Sequence, residues 1–207
     1  MTQRGETRTR SRRRLRPTAV GLLVVATAVI GTLVHQSVAS TPSVVDAAVD
    51  GAVDGAVDAA DGVLPDGVTV FEDRYPGVAD LDPDLLRALR EAATEAADDG
   101  VTFYVNSGWR SRGYQNELLS VAVSTYGSES AAARWVATAD TSPHVSGEAV
   151  DIGKDEATAW LSRHGAKLGL CQIYVNEPWH YELRPAAREG RCPPMYADPT
   201  HDPRMQP

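Results

Sequence analysis

The chain has 207 residues and a formal net charge of −8, from 20 basic and 28 acidic residues. Seven of the basic residues, all arginines, lie among the first 17 positions beside a single acid, Glu6. Residues 41–207 therefore hold 13 basic and 27 acidic residues, a net charge of −14. Residues 41–207 are therefore acidic enough to repel polyanions, which argues against nucleic acid or an anionic lipid surface as a partner.

Residues 1–40 have the composition of an N-terminal export signal or membrane anchor. The arginine-rich start is followed by an uncharged apolar run of 17 residues, 18–34. This is at the short end for a membrane-spanning helix, which needs about 20 residues. The small residues of SVAS at 37–40 would suit a signal peptidase, so a cleaved signal and a retained anchor both stay open. Either one places the remainder of the chain outside the cytoplasm.

Residues 41–63 form an acidic segment in which valine and aspartate recur every four positions between 45 and 58. Its glycines and dense negative charge oppose a stable helix, so we interpret it as a flexible linker, with a short amphipathic helix as the alternative. The globular domain is expected over residues 64–192. The proline-rich residues 193–207 are interpreted as a C-terminal surface tail.

Within the domain, apolar spacing predicts helices and short strands in chain order. A helix is expected after Asp82 as the cap and Pro83 as the first helical residue, ending at Gly100. Further helices are expected at 113–126, 130–139 and 155–168, and strands at 101–107, 149–152, 171–175 and 179–183, the last two as an antiparallel pair. Strands and helices do not alternate regularly, which favours an α+β fold with a small antiparallel sheet flanked by helices.

The two cysteines, Cys171 and Cys192, fit an oxidising compartment in which a single disulfide persists. Such a bond would tie the C-terminal segment to the strand around Cys171. The alternative is a pair of unrelated buried thiols.

Three segments concentrate unusual polar residues at the ends of predicted strands: SGWRSRGYQ, SPHVSGEAVD and NEPWHYEL. They contain His144, Asp151 and His180, and two imidazoles with one carboxylate form a ligand set suited to zinc. A fourth position left open for water is typical of a catalytic zinc site. Gly147 would let the backbone bend between His144 and Asp151. Each residue also has an ordinary structural interpretation, as a hydrogen-bonded histidine or an ion-paired aspartate.

Glu177 and Arg110 are the candidate catalytic residues beside this set. Pro178 indicates a strand entrance, where a bend could bring Glu177 and His180 to one pocket. A carboxylate there could act as a general base. Arg110 could stabilise an oxyanion or bind a substrate carboxylate, or could simply pair with Asp151.

These motifs resemble a known family. The pattern S-x-H-x-x-G-x-A-x-D is met by Ser142, His144, Gly147, Ala149 and Asp151. It is followed by E-x-W-H at Glu177, Trp179 and His180, and preceded by S-G-[YW]-R-S with Gln115 five positions after Arg110. The chain thus resembles the zinc D-alanyl-D-alanine carboxypeptidases of the vancomycin-resistance type, which share a hedgehog-like fold with L,D-carboxypeptidases and peptidoglycan endopeptidases.

The resemblance implies a Zn²⁺ ion held by His144, Asp151 and His180, with Glu177 as the general base. It implies that Arg110 polarises the scissile carbonyl or anchors the substrate. Gln115 and Ser142 match positions that contact the peptide. The implied function is removal of the terminal D-alanine from peptidoglycan stem peptides. With the N-terminal segment, we expect a monomer that is anchored to the membrane or secreted at the bacterial cell wall. An L,D-carboxypeptidase or an endopeptidase using the same site is the alternative.

Two other classes of protein share some of these features. An iron(II) oxygenase also uses two histidines and a carboxylate, but its first histidine and acid are usually closer than the seven residues between His144 and Asp151. An oxidising exterior also disfavours iron(II). A non-catalytic wall-binding module could share the fold, although Glu177 and Arg110 are both present, as an enzyme requires.

Overall fold

The computed structural model describes residues 57–206. The helices are α1 (Pro76–Ala79), α2 (Pro83–Asp98), α3 (Arg112–Tyr126), α4 (Glu129–Ala132) and α5 (Asp155–Leu168). The strands are β1 (Tyr104–Ser107), β2 (Ala149–Gly153), β3 (Leu170–Gln172) and β4 (His180–Leu183). Among residues 57–206, no helix is both long enough and apolar enough to cross a membrane.

The four strands form one sheet in the order β1-β2-β4-β3, and every neighbouring pair is antiparallel. Successive side chains of a strand alternate between the two faces of the sheet. In β2 and β4, Val150, Ile152 and Tyr181 join the main apolar core. Asp151 and His180 lie at the alternate positions and share the opposite face. This two-faced sheet confirms the predicted α+β class with a small antiparallel sheet.

Helices α2 and α5 supply most of the helical side of that core. Apolar residues of α2 recur at helical spacing and are almost fully buried, from Leu85 to Ala96. Asp82 caps the helix by accepting hydrogen bonds from the backbone N–H groups of Asp84 and Leu85. Trp160 of α5 packs edge-on against Phe103. The predicted bounds of these two helices are confirmed.

The predicted helix over 130–139 is too long, because regular helix ends at Ala132. The carbonyl oxygens of Ala137 and Ala139 accept hydrogen bonds from the side chains of Gln115 and Arg112 in α3. These contacts hold the chain that follows α4 against α3. The loop 133–148 is thereby held over the face of the sheet that carries Asp151.

The predicted strand over 171–175 is also shorter than expected, since β3 ends at Gln172. The next residues pair with the C-terminal segment: Tyr196 donates to the carbonyl of Ile173, and Val175 donates to the carbonyl of Tyr196. A disulfide between Cys171 and Cys192, predicted from the sequence, joins the same two parts of the chain. The end of the chain is therefore attached to the edge of the sheet.

The segments assigned to a linker and a tail both contain described residues that pack on the domain. Asp58 caps a short 3-10 turn at Ala59–Asp61, and Asp61 accepts a hydrogen bond from the Ser111 hydroxyl. At the other end, Asp198 and Asp202 are almost fully buried. The export signal or anchor at 1–40 and most of the acidic segment lie outside the described residues.

Candidate metal centre

Three side chains from separate parts of the chain converge at the sheet. His144 comes from the loop before β2, Asp151 from β2 and His180 from the start of β4. Asp151 Oδ1 lies 3.3 Å from His180 Nδ1 and 3.5 Å from His144 Nε2. The two ring nitrogens are 3.3 Å apart. The three buried side chains predicted as ligands therefore present three donor atoms at the corners of a nearly equilateral triangle.

The dimensions and chemistry of this triangle fit a divalent metal ion. Ligand atoms about 2.0–2.1 Å from a tetrahedral zinc ion are about 3.3–3.4 Å from one another. The observed separations of 3.3–3.5 Å agree with that value. Asp151 Oδ1 is buried and accepts no hydrogen bond from the residues that the structure describes. A cation would satisfy that oxygen, so the group can hold a metal ion.

Each imidazole is oriented by a hydrogen bond on its other nitrogen. His144 Nδ1 donates to the carbonyl of Gly108 at 2.8 Å. His180 Nε2 donates to Glu182 Oε1 at 3.2 Å. In the neutral form of each ring, this bond leaves the inward-facing nitrogen without a proton, as a metal ligand requires. Glu182 was missed in the sequence, although its position two residues after His180 in a strand puts it on the same face.

The protonation states follow from burial and from the neighbouring charges. Burial and the Arg110 charge lower the pKa of His144, which therefore stays neutral. Burial alone would raise the pKa of Asp151, but His144, His180 and Arg110 hold it well below its usual range. Burial alone would lower the pKa of His180, but the adjacent carboxylates of Asp151 and Glu182 raise it to about 10. A cation at His180 Nδ1 would compete with that proton.

Arg110 is the partner of Asp151. One guanidinium nitrogen donates to Asp151 Oδ2 at 2.7 Å, another donates to Gln115 Oε1 at 3.2 Å, and Nε donates to Ser107 Oγ at 2.7 Å. This pairing fixes the carboxylate so that Oδ1 faces the two histidines. Three of the five guanidinium N–H groups are used in this way, while the side chain also borders the cleft above the site.

Glu177 lies beside the triangle, as the sequence led us to expect. The chain turns at Pro178 and Trp179, and the amide of His180 donates to the carbonyl of Glu177 at 3.1 Å. The bend places Glu177 Oε2 3.7 Å from His180 Nδ1. A buried carboxylate thus stands beside one of the three donor atoms without replacing any of them.

The remaining predicted site residues border the same cleft, which encloses about 610 Å³ including solvent at its mouth. Gln115 is buried and uses its amide to accept from Arg110 and to donate to the carbonyl of Ala137. Ser142 is buried in the wall next to His144. Gln115 is therefore committed to holding Arg110 and the 133–148 loop in place.

Glycine at two positions allows the loop that carries His144 to approach the body of the domain. Gly147 has φ +76°, and a Cβ there would lie 2.5 Å from the carbonyl oxygen of Asp80. A Cβ on Gly108 would lie 1.9 Å from the carbonyl oxygen of Gly77. Any larger residue at either position would push the backbone away from its neighbour, and at Gly108 it would also displace the carbonyl that orients His144.

Proteins similar to this chain include a carboxypeptidase and a D,D-pentapeptidase, the latter solved in complex with Zn(II). A D-alanyl-D-alanine carboxypeptidase of Enterococcus faecalis is 34% identical over 118 residues, covering 45% of this chain and 44% of that protein. The chain therefore spans less than half the length of this relative. The crystal structure of a variant of a vancomycin-resistance D,D-pentapeptidase, VanY from a VanB-type resistance cassette in complex with Zn(II), matches with 30% identity and a TM-score of 0.50. That match covers 54% of this chain and 80% of the other.

A family model described as VanY, D-alanyl-D-alanine carboxypeptidase, matches residues 79–186. This range is more than half of the chain and contains Arg110, Glu177 and all three residues of the triangle. The chain belongs to the VanY D-alanyl-D-alanine carboxypeptidase family.

Proposed function

We propose that this protein is a zinc-dependent carboxypeptidase that removes the terminal D-alanine from peptidoglycan stem peptides. The observation that carries the proposal is the convergence of His144 Nε2, Asp151 Oδ1 and His180 Nδ1 within 3.3–3.5 Å of one another, beside the Glu177 carboxylate. Membership of the VanY family supplies the substrate class.

The three triangle residues would hold the zinc ion. When bound there, zinc would supply a Lewis acid that polarises the scissile carbonyl and makes a water molecule more acidic. The burial of all three side chains excludes bulk water from their surroundings, which strengthens electrostatic interactions inside the cleft.

Glu177 is assigned the proton transfers. Its Oε2 is close enough to the centre to take a proton from the attacking water, and the same oxygen can then deliver that proton to the leaving amine. Glu177 is carried on the turn before β4, so the hydrogen-bonded start of that strand fixes its distance from His180.

Arg110 is assigned an electrostatic role. Its guanidinium holds Asp151 and borders the cleft, where its positive charge favours a developing oxyanion or the carboxylate of a substrate. Gln115 keeps the guanidinium in position through a hydrogen bond. Ser142, in the wall beside His144, is assigned a contact with the peptide.

We place the domain outside the cytoplasm, beside its polymer substrate. The Cys171–Cys192 disulfide is of the kind that persists in an oxidising compartment. The arginine-rich, apolar N-terminal segment would export the domain or anchor it to the membrane. The proposed partners are stem peptides and, through that segment, the membrane; the enzyme is proposed to act as a monomer.

The general-base assignment predicts the behaviour of Glu177→Gln. This variant should release D-alanine at a rate more than about 100-fold lower, because general-base catalysis contributes about 10²–10⁴ in rate. Its zinc content should stay near one per chain, since Glu177 is not one of the three triangle residues. D-alanine release and metal content are measured on the same sample.

The matched control is Glu148→Gln, which changes an exposed glutamate that is hydrogen-bonded to Ser146 and lies outside the cleft. It should release D-alanine at the unaltered rate. Full activity in Glu177→Gln would make the base assignment wrong.

The cleaved bond is tested on purified muropeptides by mass spectrometry. We expect the zinc-loaded domain to convert the pentapeptide to the tetrapeptide and to leave tetrapeptides and cross-linked peptides intact. Trimming of tetrapeptides would show an L,D-carboxypeptidase instead, and cleavage of cross-links would show an endopeptidase. Zinc binding without any cleavage would show a wall-binding module.

A further inference from the structure

The C-terminal segment, residues 196–206, contacts the two side chains that flank His180. One is Glu182, which accepts the hydrogen bond from His180 Nε2. The other is Tyr174, whose ring centre is 5.1 Å from that of His180. Arg204 donates to Glu182 and Asp202 accepts from the Tyr174 hydroxyl. The end of the chain therefore reaches the proposed metal centre through two intermediaries.

Glu182 is a buried carboxylate whose two oxygens have specific partners. Oε1 accepts from His180 at 3.2 Å and from Arg204 at 3.2 Å. Oε2 accepts from Arg204 at 2.7 Å and from Arg184 at 2.5 Å. The two-bonded grip of the Arg204 guanidinium sets the plane of the carboxylate, and so the direction in which Oε1 faces His180.

Arg204 is itself held in place by Asp202. The Asp202 carboxylate is completely buried and accepts from Arg204 Nε at 3.1 Å and 3.0 Å. Asp202 also accepts from the Tyr174 hydroxyl at 3.0 Å. A flexible arginine would lose side-chain entropy on gripping Glu182, and this prior fixation reduces that loss.

The segment has its own attachment to the domain, separate from the contact with Glu182. Asp198 accepts from Arg134 at 3.0 Å, and Tyr196 pairs with the chain beyond β3. Pro199 and Met205 border the cleft. The segment also lies outside residues 79–186, the part of the chain that matches the VanY family. It thus reaches the site from outside the matched range.

We propose that Arg204 is a positioning residue for the metal centre: it aligns Glu182, which in turn fixes the His180 ring with Nδ1 directed at the metal. This inference rests on the proposed metal site and not on the identity of the cleaved peptide. The Asp202–Arg204 pair thereby makes the C-terminal segment a part of the active-site architecture.

The test measures zinc affinity, by competition with a chromophoric chelator, in the purified full chain. Arg204→Ala should bind zinc about 10-fold more weakly, since changing a group that orients a metal ligand typically costs about 10–100-fold in affinity. Arg204→Lys keeps the charge but not the two-bonded grip, and should fall between Arg204→Ala and the unaltered protein.

Two comparisons separate positioning from general stabilisation. Arg134→Ala removes the ion pair between Asp198 of the same segment and the domain without touching Glu182, and should keep its zinc affinity within about two-fold. Glu182→Gln should weaken zinc binding by itself, and adding Arg204→Ala to it should cause little further loss, because both changes act on one chain of contacts. The visible spectrum of the Co²⁺-substituted protein should change in Arg204→Ala and not in Arg134→Ala.

Unchanged zinc affinity in Arg204→Ala would overturn the proposal. So would equal losses in Arg134→Ala and Arg204→Ala, or fully additive losses in the double variant. Thermal unfolding of each variant shows that it is folded before zinc is added. Zinc binding is measured without peptide, so a failure to release D-alanine would contradict the proposed function and leave this test valid.

Discussion

Gly147 stands between two of the proposed ligands and has a positive φ of +76°. We expect Gly147→Ala to lower the free energy of unfolding by more than about 2 kcal/mol, because the left-handed conformation costs a residue with a Cβ about 1–2 kcal/mol and the clash adds to it. The clash is with the carbonyl oxygen of Asp80, 2.5 Å from the added carbon. Urea denaturation measures the loss.

Gly100 provides a matched control for this prediction. It also has a positive φ, +74°, but no atom lies within 4 Å of an added Cβ. Gly100→Ala should therefore show the conformational cost alone, about 1–2 kcal/mol. Equal losses at the two glycines would contradict the close approach of the His144 loop to Asp80.

The individual site residues could be selected from the sequence because polar groups at strand ends are few. His144, Asp151, His180 and Glu177 all border the cleft in the structure. Glu182 and its partner Arg204 are not identified from the sequence. They are 22 residues apart, and no local sequence pattern indicates a contact over that separation. The pairing of Arg110 with Asp151, weighed as an alternative, is observed.

At the scale of elements, the disulfide attaches a segment that has little regular structure of its own. Cys171 of β3 and Cys192 are 21 residues apart in the sequence. The double variant Cys171→Ala/Cys192→Ala should be less stable by about 3 kcal/mol, because closing a loop of this size restricts the unfolded chain. Thermal unfolding with and without a reducing agent measures the effect.

The unaltered protein should lose a similar amount of stability in reducing agent, and the double variant should be insensitive to it. If the reducing agent left the midpoint of unfolding unchanged in the unaltered protein, the C-terminal segment would be held by its other contacts alone.

Element bounds were predictable where local pattern determines them. Helices α2 and α5 begin and end within a residue or two of the prediction, because caps and apolar spacing set their limits. Helix α4 and strand β3 are shorter than predicted, and the residues that follow each of them bind distant partners: α3 side chains donate to the carbonyls of Ala137 and Ala139, and Tyr196 pairs with the chain after β3.

At the scale of the whole molecule, Asp198 fastens the chain end to the domain. Burial alone would raise its pKa, but hydrogen bonds from Thr200, His201 and Arg134 lower it to about 2. A carboxyl whose pKa is lower in the folded than in the unfolded state stabilises the fold above the unfolded value. This contribution is lost as the pH falls from about 4 to about 2.

The variant Asp198→Asn should therefore show a weaker dependence of stability on pH across that window than the unaltered protein. Asp140→Asn serves as the control for loss of one negative charge, because its carboxylate is exposed and pairs with Arg112. Chemical denaturation at successive pH values gives the slopes. A slope unchanged in Asp198→Asn would show that the buried carboxylate does not titrate in the predicted window.

The overall class could be predicted, but the packing of both chain ends could not. The order of the predicted elements, in which strands and helices do not alternate regularly, predicted the small antiparallel sheet. Nothing in proline-rich or glycine-rich composition indicates which partners such a segment will find. Asp61 with Ser111, and Arg204 with Glu182, are pairs that only the folded chain brings together.

The direct pairing of Asp151 with His180 has a consequence for how the sheet assembles. A slip of one residue between β2 and β4 would turn one of these side chains to the opposite face, among the apolar core residues. Only the observed register places both side chains beside one ion, so metal binding would stabilise that register relative to a shifted one. The residues proposed to bind zinc would then also stabilise the correct pairing of their own strands.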